Sequence, residues 1–217
     1  MEESVRRAVS LAPTHLSCYS LILEAGTPLY RSVQEGKYAL PEEDTEREMY
    51  HHLVRLLAEN GYHRYEISNF ALRGKESRHN NKYWERKPYI GLGVAAHSQI
   101  DDLRYGNPSS LAEYEEVTFL HPPAGRAAER LTSTDEMAEF MFLGLRKCAG
   151  ILKSDFGKVF GKSLETVFGE QIKKFCSLGL LEDSNGRLRL SDAGIDVSNA
   201  IFCEFLPEEE DNEHSGA

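Results

Sequence analysis

The sequence predicts an α/β segment followed by a winged-helix-like α+β domain. Residues 1–70 read as helix–strand units. Residues 132–206 read as three helices, a β-hairpin and a closing helix. The intervening stretch 71–98 has few periodic signals and contains the only tryptophan of the 217-residue chain. The domains expected are 1–125, 126–206 and an acidic, disordered tail at 207–217.

In chain order, MEESVRRAVSLAP reads as the end of a helix stopped at Pro13. HLSCYSLIL (15–23) follows as a strand and EAGTP (24–28) as a turn. A helix running into a buried strand is half of a βαβ repeat. Its partners would lie upstream, so the chain is expected to be the C-terminal part of something larger. PEEDTEREMYHHLVRLLAENG (41–61) is a helix with acids in its first turn, matching the helix dipole. Met49, Leu53, Leu56 and Leu57 give it one apolar stripe, and Gly61 is the stop. YHRYEISNF (62–70) then reads as one strand, with Glu66 an inward polar residue. Repeated helix–strand units build parallel sheets.

RHNNKYW (78–84) packs a histidine, two asparagines and two aromatics into a short stretch. It reads as a polar turn or a ligand site. YIGLGVAAHS (89–98) has two glycines that allow close backbone approach, but it lacks the third glycine of a dinucleotide fingerprint. YGNPSS (105–110) is a turn, with Ser109 or Ser110 capping LAEYEEV. HPPAG (121–125) is the connector before the second domain.

From residue 132 the helical period dominates. Ser133 and Glu136 are read as a capping box, with Met137, Phe140, Met141 and Leu145 inward. SDFGKVF (154–160) is a short helix ending at Gly161. In SLETVFGEQIKKFCSLG (163–179), Leu164, Val167, Phe168, Ile172, Phe175 and Cys176 face the core. LLEDSNGRLRL (180–190) is a hairpin turning at Asn185-Gly186. SDAGIDVSNAIFCEFL (191–206) closes the module as one helix.

Composition excludes several classes. The chain is 41% hydrophobic and 28% charged, with no apolar run of the roughly 18–20 residues a membrane span needs. No signal-peptide pattern opens it, so cytoplasmic residence is expected. The net charge of −10 is not the footprint of a nucleic-acid binder. Over 150–206, seven basic residues face eight acidic ones, so the winged-helix-like module has no positive field for phosphates. The four cysteines, at 18, 148, 176 and 203, are too dispersed for a zinc site or a cluster loop.

HLSCYSLILEAGTPLY, EEDTEREMY, YEISNFA, RHNNKYW and YIGLGVAAHS occur in that order. In this register the chain resembles the C-terminal half of HemW-type heme chaperones. These are relatives of the oxygen-independent coproporphyrinogen III oxidases in the radical SAM superfamily. SLGLLE and LRLSDAGIDVSNAIFCEF resemble that family's C-terminal domain. The resemblance implies the later strands of a partial (β/α) barrel, followed by the winged-helix-like domain. It implies that the cluster-binding CxxxCxxC, absent from this chain, holds a 4Fe-4S cluster and S-adenosylmethionine in full-length members. No catalytic residue and no metal ligand is therefore assigned here.

The pattern HNxxYW, carried by His79, Asn80, Tyr83 and Trp84, resembles the chaperone branch. The oxidase branch resembles HFxGYxT at this place. The implied function is heme binding and delivery to heme-accepting proteins, with transient contact to membrane-bound respiratory proteins. The alternative is the C-terminal part of a coproporphyrinogen III oxidase of porphyrin biosynthesis. An imidazole is a good axial ligand for heme iron, and Tyr83 and Trp84 offer flat apolar area. The residues alone equally allow His79 and Asn80 to satisfy backbone groups while Trp84 plugs a barrel end. By the same resemblance, Ile22 and His97 come near S-adenosylmethionine. Taken alone, Ile22 reads as core and His97 as the cap of a strand end.

Overall fold

In a computed structural model, residues 1–116 and 128–207 are described. The chain divides into two compact units, Met1–Ser77 and Arg78–Ala217. The boundary expected near HPPAG falls on residues outside the described ones, as does the acidic tail. The packing divides the chain earlier, at Ser77/Arg78.

The first unit contains α1 (Glu2–Ser10), β1 (His15–Ser17), α2 (Pro28–Gln34), α3 (Glu43–Glu59), β2 (His63–Glu66) and β3 (Asn69–Ala71). Thr27 caps α2 by accepting a hydrogen bond from the Tyr30 amide, with Pro28 at the first helical position. Leu57 of α3 packs with Tyr62 and Phe70 in the core of this unit, and Val5, Val9, Leu16 and Leu53 lie against them. Gly61 ends α3 at φ +84°, the left-handed conformation expected of a stop.

Three expectations are corrected by the strands. The run 62–70 is a hairpin, not one strand. β3 lies between β1 and β2, antiparallel to both, with a register shift between Arg64 and Glu66. The cause is local. Glu66 is buried, and its Oε1 accepts from the Ser68 amide and from the Asn69 side chain, which folds the run back on itself. The strand expected over 15–23 ends at Ser17, and Leu21 and Ile22 are exposed. The ladders among the described residues are antiparallel, not the parallel sheet that helix–strand alternation predicts.

The second unit begins with α4 (Arg78–Trp84), then β4 (His97–Ile100), β5 (Leu103–Gly106), α5 (Leu111–Glu116) and β6 (Ala128–Arg130). Strands β4, β5 and β6 form one antiparallel sheet. RHNNKYW is thus a short helix, not a turn.

The same unit continues with α6 (Ser133–Gly144), β7 (Ile151–Leu152), α7 (Lys153–Phe160), α8 (Leu164–Ser177), β8 (Leu181–Ser184), β9 (Arg187–Leu190), α9 (Asp192–Asp196) and α10 (Ser198–Cys203). Three helices and the sheet β7-β9-β8 make the winged-helix-like arrangement. Phe156, Leu164, Leu188, Ile201 and Phe205 are nearly fully buried, and Phe156 meets the rings of Phe140, Phe160 and Phe168. Asn185 and Gly186 both take positive φ, as a two-residue hairpin turn requires.

The capping box sits one residue earlier than Ser133/Glu136. Thr132 is extended, its hydroxyl accepts from the Asp135 amide, and the Asp135 carboxylate accepts from the Thr132 amide. The single closing helix is two, broken at Val197, which leaves helical geometry at φ −117° and ψ 23°.

Candidate functional site

A cleft of about 590 Å³ lies along one face of α4. His79, Lys82 and Tyr83 line it, recurring at i, i+3 and i+4 as one helix face does. Pro88, Tyr89, Ile90 and Ile100 form the rest of its lining. The His79 ring meets Tyr83 edge-on at 5.0 Å, and Tyr83 meets Tyr89 at 4.7 Å. Among the described residues, the His79 imidazole makes no hydrogen bond, so both ring nitrogens are available. Burial pushes the Tyr89 phenol up, so at neutral pH it remains an O–H donor.

The motif is divided by its own helix. His79 and Tyr83 line the cleft, whereas Asn80 and Trp84, also four residues apart, do not. The Arg146 guanidinium covers the Trp84 ring at 4.5 Å, a cation–π contact that ties α4 to the end of α6. Arg86, just past the helix in the left-handed region at φ +52°, donates to Glu136 at 3.0 Å and lies 3.5 Å from Glu139. Buried Glu139 also accepts from Arg104. Burial alone draws Arg104 down, but the Glu139 hydrogen bond and charge more than offset this and hold it above its ordinary value. Two arginines on one buried carboxylate therefore fix the helix that carries His79.

Beside the cleft, residues 90–96 form a clamped loop. The Gly91 amide donates to Ser98 Oγ at 2.9 Å, the Gly93 amide to the Tyr114 hydroxyl at 3.0 Å and the Ala95 amide to the Pro108 carbonyl at 2.8 Å. The Asn107 side chain donates to the carbonyls of Gly91 and Gly93. Ile90, Leu92 and Val94 nonetheless point outward, Leu92 at 78% exposure. A Cβ at Gly91 would meet the His97 carbonyl at 2.2 Å, so glycine is required there.

Of the remaining site expectations, His97 is exposed at the start of β4, close over Gly106, and is not among the residues lining the cleft. Ile22, in the first unit, is 80% exposed rather than core. Glu66 leaves Oε2 without a hydrogen-bond partner among the described residues. The sequence reading missed Lys82 and the cleft roles of Pro88, Tyr89 and Ile100. The i, i+3 spacing from His79 pointed to Lys82; the other three are brought in by tertiary structure.

With this geometry in view, three comparisons bear on the chain. Residues 131–197 match the model of the HemN C-terminal domain. Heme chaperone HemW of Bacillus subtilis is 36% identical over 208 residues, covering 96% of this chain and 55% of that protein. The chain belongs to the HemW/HemN family. Heme chaperone HemW of Lactococcus lactis is likewise 36% identical, over 95% of this chain and 54% of that protein. The mouse radical S-adenosyl methionine domain-containing protein 1, mitochondrial, is 32% identical over 89% of this chain and 46% of that protein. The solved structure of coproporphyrinogen III oxidase (HemN) from Escherichia coli, a radical SAM enzyme, superposes with a TM-score of 0.69. It does so over 94% of this chain and 50% of that one, at 19% identity, and so shows the shared fold.

This HemW/HemN-family chain spans about half the length of the curated relatives it matches. Its described residues do not fit an iron–sulfur cluster. No group of three or more His, Cys, Asp or Glu among them is placed to hold a metal ion. Cys18, Cys148 and Cys176 are half-buried and Cys203 is exposed, and none of the four is in a disulfide. Burial raises the Cys18 and Cys176 thiols, which disfavours the thiolate a cluster needs. No helix among the described residues is long and apolar enough to cross a membrane.

Proposed function

We propose that this chain binds heme in the cleft along α4, and that in the full-length protein this site serves heme delivery to acceptor proteins. The cleft carries the reading. An imidazole without hydrogen bonds stands beside two tyrosines in edge-to-face contact and two isoleucines, an aromatic and aliphatic wall suited to a flat macrocycle. His79 would offer its imidazole nitrogen to the heme iron, and Tyr83 and Tyr89 would lie against the porphyrin. Asn80 and Trp84 act indirectly: Trp84 under Arg146 holds the helix so that His79 faces the cleft.

Relatives at 36% identity named heme chaperone HemW support the chaperone reading over porphyrinogen oxidation. The test is titration of the purified chain with hemin, followed by the Soret band. A shifted band is expected. In His79→Ala it should weaken at least about tenfold, since even outer partners of a metal ligand are worth about that much. No shift in either protein would sink the reading.

A further inference from the structure

We propose that Lys82 receives a carboxylate of the bound macrocycle, so that the cleft selects a ring bearing free acid side chains over the same ring with those charges masked. This rests on the reading of the cleft as a heme site and deepens it.

The pattern of charge around α4 carries the inference. Lys87 and Lys147 both face Glu85, at 2.6 and 3.7 Å. Arg86 faces Glu136 and Glu139, and Arg104 faces Glu139. Each of these four cations is matched by a carboxylate of the chain. Within α4, the Lys82 ammonium and the Arg78 guanidinium have no carboxylate within ion-pair distance among the described residues, and of the two only Lys82 lines the cleft. Among the described residues lining the cleft, it is also the only lysine, arginine or carboxylate side chain.

In a chain with 35 acidic and 25 basic residues, an unmatched cation beside an aromatic wall is a local reversal of sign. Lys82 follows His79 by three residues on the same helix face, so its charge sits at the edge of the surface that the imidazole addresses. An ammonium on a flexible four-carbon stem presents three rotatable donors. It can therefore follow a carboxylate at a solvent-facing rim, while the ring lies against Tyr83 and Tyr89. Lys82 is the ammonium among the described lining residues, and a full positive charge favours a carboxylate over its uncharged ester.

The test compares hemin with hemin dimethyl ester, each titrated into the full chain and into Lys82→Gln and Lys82→Arg. The wild type is expected to bind hemin about two- to fivefold more tightly than the ester, the scale of one solvent-exposed ion pair. Lys82→Gln should lose that preference by weakening hemin alone, and Lys82→Arg should restore it. Raising the salt concentration should narrow the preference in the wild type and leave Lys82→Gln unchanged. A Lys82→Gln protein that binds hemin normally and keeps the wild-type preference overturns the inference while leaving the heme site standing. Failure of the wild type to bind either compound overturns the heme reading and this inference with it. Because Lys82 is exposed, melting curves of all three proteins should coincide.

Discussion

The aromatic core of the C-terminal module and the α4 cleft use similar residues to opposite ends. In the module, Phe140, Phe156, Phe160, Phe168 and Phe205 meet one another, and Phe156 is fully buried. In the cleft, Tyr83 and Tyr89 also meet edge to face, but they stay half-buried beside an exposed His79. Ring area left uncovered contributes little to folding. Where a fold retains it beside an imidazole without hydrogen bonds, the area is available for a ligand. The module is built to stay folded. The cleft is held rigid from behind, by Arg146 on Trp84 and by two arginines on Glu139, so that its front stays open.

The contrast can be broken most severely at Phe156. Phe156→Ala should cost about 3–5 kcal/mol, as a fully buried aromatic replaced by a cavity does. Chemical denaturation would read this as a lower midpoint. A loss below about 1 kcal/mol would mean that the aromatic cluster is not the module's core.

A smaller effect is expected at the capping box. The hydrogen bonds from the Thr132 hydroxyl and amide hold the Asp135 carboxyl below its ordinary range. A carboxyl depressed in the folded state adds stability that is present above its unfolded pKa and lost as pH falls through the folded value. Asp135→Ala should therefore cost about 1 kcal/mol at pH 7 and less near pH 3. Equal losses at both pH values would separate the cap from its charge.

The least effect on stability is expected at the cleft. His79→Ala should change unfolding by less than about 0.5 kcal/mol, even as it weakens hemin binding. If the variant instead melts early, His79 belongs to the fold and the contrast fails.

The module was the more legible of the two regions in the sequence. Helix α8 and the Asn185-Gly186 hairpin follow from period and turn chemistry, both local signals. Even the capping box was only one residue out, because Thr132 and Ser133 are both good caps. The hairpin in 62–70 was missed because its alternation suits a strand, and the residue that folds it back, Glu66, acts through its own side chain. Helix α4 was missed because adjacent asparagines favour turns over helices. His79, Tyr83, Asn80 and Trp84 were visible as a motif. Which of them faces the cleft depends on the helix, and therefore could not be read from the motif alone.

The clamped loop at 90–96 has a thermodynamic consequence. Its amides at Gly91, Gly93 and Ala95 are already bonded while Leu92 stands in solvent. Hydrogen exchange there should be slower than surface position alone suggests. A ligand extending from Ile90 onto this strip would meet apolar side chains on a backbone with little freedom left to lose. Association would then carry a small ordering penalty and a negative heat-capacity change.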